Sequence, residues 1–125
     1  MLSLLLLVHG NAVLENELAK SIYIIIENEK IQQIGPIHSL PSDLSGVKKI
    51  EIAENQTVVP GFIDVHIHGA AGADTMDATI HALETMAKAL PAEGTTSFLA
   101  TTITQKHEKI ENALINAADY LKGHN

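Results

Sequence analysis

Two histidines, His66 and His68, lie two positions apart in an apolar run that follows a Pro60-Gly61 break. Successive side chains of a β-strand leave the backbone on opposite faces, so residues two apart share a face. Two imidazoles on one face at the end of a buried strand form half of a divalent-metal site. The spacing alone is equally compatible with two unrelated core or surface histidines. The apolar context favours metal ligation, because polar rings on a buried face need a group that satisfies their nitrogens.

Other polar and glycine residues surround this pair. Asp64 shares the predicted strand face, where it either orients an imidazole or binds backbone amides deeper in the fold. Its position, two residues before the histidines, favours the structural role. Asp74 and Asp77 flank the start of the next helix, and Asp77 is the predicted N-cap. Gly69 and Gly72 are expected to allow tight turns beside the histidines.

The elements that must position these residues alternate between strand and helix. A strand over residues 60–68 leads through a glycine-rich turn into a helix that ends at Pro91 and Gly94. Residues 95–102 form a second predicted strand, and residues 107–122 form a second helix with one apolar stripe. A β-α-β-α order with short loops is typical of a parallel α/β architecture.

The first part of the chain has a different pattern, rich in β-branched and apolar residues. Glu27 to Lys30 is predicted to be a four-residue hairpin loop, and Gly35-Pro36 ends its second strand. The predicted strands cover residues 4–8, 12–14, 21–26, 31–34, 48–52 and 56–59. We therefore divide the chain into a β-rich domain over residues 1–57 and an α/β domain over residues 58–125.

Composition excludes several classes of partner. The 125 residues carry a formal net charge of −7 and no basic block, which argues against nucleic acid and anionic membranes. The chain has no cysteine, so disulfides and thiolate zinc sites are excluded. The apolar run at residues 1–8 lacks a basic flank and is too short to span a bilayer. We expect a cytoplasmic protein.

Three segments carry a resemblance to a known family. Val59 to His68 resembles the first barrel strand of the amidohydrolase superfamily, and Gly94 to Thr104 resembles its second barrel strand. The run from Gly69 to Ala78 is similar to that of N-acetylglucosamine-6-phosphate deacetylases of the Gram-positive type. The resemblance implies a (β/α)₈ barrel preceded by strands of a small β-sandwich domain. Such a barrel needs about 250 residues, so this chain would hold only its first two β/α units.

The resemblance also implies a reaction. His66 and His68 would bind a catalytic divalent metal, Zn²⁺ or Fe²⁺, for hydrolysis of N-acetylglucosamine 6-phosphate to glucosamine 6-phosphate and acetate. The catalytic aspartate, a glutamate ligand and two further histidines of the family match no position here, so no catalytic residue is predicted and the isolated chain should be inactive. A phosphorylated amino sugar is the implied substrate, and the complete enzyme would be a homodimer.

The sequence leaves two alternatives open. The first is another amidohydrolase activity, such as hydrolysis of a cyclic amide. The second is a non-catalytic, stand-alone domain whose open strand edges need a partner. In either case the apolar faces of residues 60–68 and 95–102 are expected to be uncovered, because two strands alone cannot close a barrel.

Overall fold

The computed structural model of the chain describes residues 4–44 and 46–123. The first three residues of the apolar N-terminal run and Ser45 of a predicted break therefore lie outside the described residues. The chain forms two compact units that divide after Pro60, close to the predicted boundary after residue 57.

The first unit is built from short strands. In chain order they are β1 (Leu4–Val8), β2 (Asn11–Val13), β3 (Leu18–Ala19), β4 (Ile22–Glu27), β5 (Lys30–Pro36), β6 (Lys48–Glu51) and β7 (Thr57–Val58), with a 3₁₀ turn at Ile37–Ser39 after β5. Four strands form one sheet in the order β5-β4-β1-β6, and three form another in the order β3-β2-β7. Strand β1 runs antiparallel to β4 and parallel to β6.

The hairpin between β4 and β5 differs from its prediction. Glu27 pairs directly with Lys30, so the loop has two residues rather than four. Asn28 and Glu29 both have positive φ angles, 51° and 65°, as a type I′ turn requires. This turn follows the right-handed twist of the flanking strands, which lets pairing continue to the last residue of each strand.

Strand β4 is apolar at nearly every position because both faces of its sheet are covered. Tyr23 packs in one cluster with Leu6 and Val8, whereas Ile22 and Ile24 pack in another with Ala12. Alternate residues of a strand point to opposite faces, so a continuous apolar run serves two cores at once. Burial of each such side chain contributes about 1.5–3 kcal/mol.

The second unit has a β-α-β-α order. Its elements are β8 (Phe62–Ile67), β9 (Gly69–Ala70), β10 (Ala73–Asp74), a 3₁₀ turn (Thr75–Asp77), α1 (Ile80–Ala89), a second 3₁₀ turn (Leu90–Glu93), β11 (Thr95–Ala100) and α2 (His107–Gly123). Strands β8 and β11 pair in parallel with helix α1 between them in sequence, as the alternating pattern predicts. Leu83 and Met86 are the largest buried side chains of α1.

The N-cap prediction for the first helix is wrong. Thr79, not Asp77, caps α1, and its hydroxyl accepts the Ala82 N–H at 3.1 Å. Asp77 instead lies in the preceding 3₁₀ turn, where it forms a capping box with Asp74. A short extra turn is inserted because Ala78 adopts a left-handed conformation with φ 49°, which ends the 3₁₀ segment before α1 begins.

The apolar faces expected to be uncovered are exposed. Phe62, Ile63 and Val65 of β8 are 62%, 68% and 66% exposed, and Leu99 of β11 is 59% exposed. Adjacent strand residues point to opposite faces, so these four side chains lie on both faces of the two-stranded sheet; together we call them the exposed apolar surface. None of the helices in the described part of the chain is long and apolar enough to cross a membrane.

Candidate metal site

The predicted ligands lie where β8 ends. His66 is the penultimate residue of the strand, and His68 follows its last residue, Ile67. Both histidines are exposed. Asp64 accepts the backbone N–H of His66 at 3.0 Å, so its carboxylate binds a main-chain amide beside the predicted ligands rather than deeper in the fold.

His68 has a partner that the sequence did not indicate. Its Nδ1 atom lies 2.6 Å from Oδ2 of Asp74. An ionised carboxylate can only accept a hydrogen bond, so Nδ1 carries the proton of a neutral His68 ring. The other ring nitrogen, Nε2, then presents its lone pair and is the atom available to a metal ion.

Asp74 is well suited to remain ionised. Burial raises the pKa of its carboxyl. Hydrogen bonds from the Met76 backbone N–H and the His68 ring lower that pKa by more than burial raises it, so it lies below its usual value. Both carboxylate oxygens are used, because Oδ1 accepts the Met76 N–H at 2.8 Å while Oδ2 faces His68.

A tight hairpin returns Asp74 to His68. Strands β9 and β10 pair so that Asp74 lies opposite Gly69, the residue after His68. Ala71 and Gly72 between them have φ angles of 53° and 80°, which is the pattern of a type I′ turn. The glycine-rich segment therefore does form a tight turn, and that turn brings a carboxylate six residues away back to the imidazole.

Further hydrogen bonds hold the hairpin against the following turn. The backbone N–H of Thr75 donates to the carbonyl oxygen of His68 at 2.6 Å. The backbone N–H of Asp74 donates to Oδ2 of Asp77 at 2.9 Å, which completes the capping box. The main chain of His68 and the carboxylate that binds its ring thus belong to one hydrogen-bonded segment.

Asp74 could have been found by a different sequence signal. The sequence pattern indicates only a residue near a helix start, because capping accounts for an acidic residue there. The signal is the Ala71-Gly72 pair between two short segments, since a two-residue hairpin places residues 69 and 74 opposite each other. That pairing sets Asp74 beside a predicted ligand.

The two imidazoles are of the right chemical type to bind a divalent metal, but they are too few to form a complete site. Imidazole nitrogens suit Zn²⁺ and Fe²⁺, and a carboxylate on the far ring nitrogen is the usual support of a metal-bound histidine. A catalytic zinc site has about three protein ligands. Within residues 4–44 and 46–123, no three His, Cys, Asp or Glu side chains are grouped so that they could hold a metal ion.

Residues 57–122 match the family model described as the amidohydrolase family. The chain belongs to the amidohydrolase family. It is 46% identical over 108 residues to N-acetylglucosamine-6-phosphate deacetylase of Bacillus subtilis (strain 168), an alignment that covers 86% of this chain and 26% of that protein. The chain thus spans about a quarter of the length of this curated relative, and the predicted resemblance to such deacetylases is confirmed.

Solved structures give the same relationship at the level of fold. The crystal structure of N-acetylglucosamine-6-phosphate deacetylase from Pasteurella multocida matches with a TM-score of 0.83 at 25% identity, covering 95% of this chain and 31% of that one. A mutant deacetylase from Mycobacterium smegmatis, in complex with N-acetyl-D-glucosamine-6-phosphate, matches with a TM-score of 0.80 at 24% identity, over 97% and 30% of the two chains. The two units therefore have the fold found in part of a larger amidohydrolase.

Proposed function

We propose that this chain is part of a metal-dependent deacetylase that hydrolyses the N-acetyl group of N-acetylglucosamine 6-phosphate. The products are glucosamine 6-phosphate and acetate. The observation that carries the proposal is the 46% identity to the Bacillus subtilis deacetylase over 86% of the chain. Support also comes from the Mycobacterium smegmatis relative, which was captured with N-acetyl-D-glucosamine-6-phosphate.

His66 and His68 are the proposed metal ligands of this chain. Both are accessible at the end of β8, and His68 offers Nε2 because Nδ1 is engaged by Asp74. A bound divalent metal, Zn²⁺ or Fe²⁺, would lower the pKa of a water molecule and polarise the acetamide carbonyl. The role of the two histidines is to present imidazole nitrogens to that ion from one strand end.

The second unit is the proposed first quarter of a (β/α)₈ barrel, and the first unit is the proposed N-terminal portion of a small β-sandwich. Parallel β8 and β11 with α1 between them are the repeating unit of such a barrel. The exposed apolar surface formed by Phe62, Ile63, Val65 and Leu99 is what further strands and helices would cover. In such barrels the active site lies at the C-terminal strand ends, where His66 and His68 are found.

Catalysis itself is assigned to residues beyond those of this chain. Two imidazoles are fewer than the ligands that a catalytic metal needs, and no general base is predicted among the matched positions. We therefore expect the complete protein to be active and the isolated 125-residue chain to be inactive. We further propose that the complete protein is a cytoplasmic homodimer and that its substrate is a phosphorylated amino sugar.

The test uses the complete protein encoded by the reading frame that carries this chain, called the complete protein below. It is purified with a divalent metal, and release of acetate and of a free amine is measured from N-acetylglucosamine 6-phosphate. Unphosphorylated N-acetylglucosamine and a hydantoin serve as control substrates. We expect turnover of the phosphorylated sugar and little of either control. Preferred hydrolysis of the hydantoin would instead establish a cyclic amide hydrolase, and a folded, metal-loaded but inactive protein would contradict both activities.

A further inference from the structure

We propose that Asp74 is a positioning residue that sets the tautomer of His68 and aims its Nε2 atom at the metal. This inference rests on the proposed function, because it concerns the same site. Its basis is the 2.6 Å separation between His68 Nδ1 and Asp74 Oδ2, formed across the β9–β10 hairpin. A carboxylate on the far nitrogen of a ligand histidine fixes the ring and raises its basicity.

The hydrogen bond leaves the His68 ring one free nitrogen. The main chain of His68 is held by the Thr75 N–H at 2.6 Å, and Nδ1 is held by Asp74. Only Nε2 remains for another partner. A neutral ring with its proton on Nδ1 is the form that can bind a cation through Nε2 without first moving a proton.

The carboxylate can orient the ring because it is itself held in place. Its Oδ1 atom accepts the Met76 N–H at 2.8 Å, and its own backbone N–H donates to Asp77 at 2.9 Å. The Asp74 side chain is 30% exposed, which limits competition from water for its oxygens. Each of these contacts is formed between residues 68 and 77.

His66 lacks such support. Within the part of the chain that the structure describes, its imidazole has no hydrogen-bond partner, and its backbone N–H donates to Asp64. The two proposed ligands are therefore unequal. His68 is organised before any metal arrives, whereas His66 is free to adjust its ring to the ion.

The decisive variant is Asp74→Asn in the complete protein. Asparagine is an equally good N-cap, so its carbonyl oxygen can still accept the Met76 N–H. Its NH₂ group then faces Nδ1 of His68 and must donate, which drives the ring proton to Nε2, the wrong nitrogen for metal binding. Asp77→Asn is the matched control, because it alters the other carboxyl of the capping box without touching His68.

Two readouts are used, and neither requires turnover. Nitrogen-15 NMR of the metal-free protein reports which ring nitrogen of His68 carries the proton, and titration with Zn²⁺ or Co²⁺ reports metal affinity. We expect the Nδ1–H tautomer in the wild type and in Asp77→Asn, and the Nε2–H tautomer in Asp74→Asn. The metal dissociation constant of Asp74→Asn should rise about 10- to 100-fold, whereas that of Asp77→Asn should stay close to the wild type.

Several results would overturn the inference. One is an Nε2–H tautomer in the wild type, and another is an Asp74→Asn variant with unchanged tautomer or unchanged metal affinity. Should Asp74→Asn fail to fold, Asp74→Ser retains a capping hydroxyl but is too short to reach the ring, and a mixture of tautomers is then expected. A wild type with the Nδ1–H tautomer that binds neither metal would overturn the proposed function instead, while tautomer control by Asp74 would stand.

Discussion

Gly69 lies opposite Asp74 in the β9–β10 hairpin, and a Cβ atom added at Gly69 would lie 3.0 Å from Oδ2 of Asp74. The same atom would lie 2.8 Å from the carbonyl oxygen of Ala73. Glycine is therefore favoured at this position, because the Ala73 carbonyl oxygen lies too close for a Cβ atom and the carboxylate that binds His68 leaves little room beside it.

This relationship predicts the effect of Gly69→Ala. The methyl group should displace the Asp74 carboxylate or the Ala73 carbonyl, so His68 loses its partner and the metal dissociation constant rises about tenfold or more. Gly72→Ala is the matched control in the same hairpin. Its φ of 80° makes alanine cost about 1–2 kcal/mol of stability, but among the described residues no atom beyond the chain neighbours of Gly72 lies within 4 Å of the added methyl. Equal effects of both variants on metal affinity would argue against a specific role of Gly69.

Substitution of either proposed ligand should reduce metal binding and enzymatic activity together. In the complete protein, His66→Ala and His68→Ala should each reduce metal content and deacetylation in parallel, because each removes one imidazole from the proposed site. Metal content is measured by elemental analysis alongside acetate release. His81→Ala, which removes an exposed histidine from α1, is the control and should change neither. Normal metal content in both site variants would contradict the assignment.

Glu51 in the first unit is predicted to make the stability of the fold depend on pH in the acid range. Hydrogen bonds from Lys49 and then from His9 hold the pKa of Glu51 below its usual value. The folded-state pKa is the lower one, so ionised Glu51 stabilises the fold above about pH 4, and this contribution is lost as the pH falls through the folded-state pKa. Glu51→Gln should thus flatten the pH dependence of the free energy of unfolding between about pH 3 and 5.

The size of this effect should be small because Glu51 is exposed to solvent, and 1 M salt should remove most of it. Urea unfolding of the wild type and of Glu51→Gln over this pH range provides the measurement. Glu54→Gln, a substitution of a nearby exposed carboxylate, is the control. A Glu51→Gln profile that follows the wild type at low salt would exclude the stabilising role.

The exposed apolar surface of the second unit predicts self-association of the 125-residue chain. Exposed apolar side chains on a two-stranded sheet, together with unpaired strand edges, are a template for contact between copies. Analytical ultracentrifugation at micromolar concentration should detect oligomers, and Ile63→Ser with Leu99→Ser should reduce them. Leu18→Ser, at a 55% exposed leucine of the first unit, should have little effect. A monomeric wild-type chain at these concentrations would contradict the prediction that the exposed apolar surface drives self-association.

Much of this architecture could be read from local patterns. The β-branched run before residue 27 predicts a strand, and the spacing of apolar residues predicts both helices. The parallel pairing of β8 with β11 follows from their alternation with helices. These predictions succeed because each strand or helix must bury one face. The apolar residues therefore recur with the period of that element, whichever neighbour it packs against.

Other features depended on contacts that no local pattern specifies. The hairpin loop of two residues rather than four, and the cap at Thr79 rather than Asp77, depend on the conformations of single residues such as Ala78. Several acidic and turn residues near a helix start could each fill the capping role, so composition alone does not select one.

The sequence by itself determined the family, the strand that carries His66 and ends just before His68, and the imidazole chemistry that two such residues can offer. Only the tertiary structure decided that Asp74 binds the ring of His68, and hence which nitrogen is left for a metal. The physical reason is that a hydrogen bond between side chains six residues apart requires the backbone to reverse. That reversal is produced by two positive φ angles at Ala71 and Gly72.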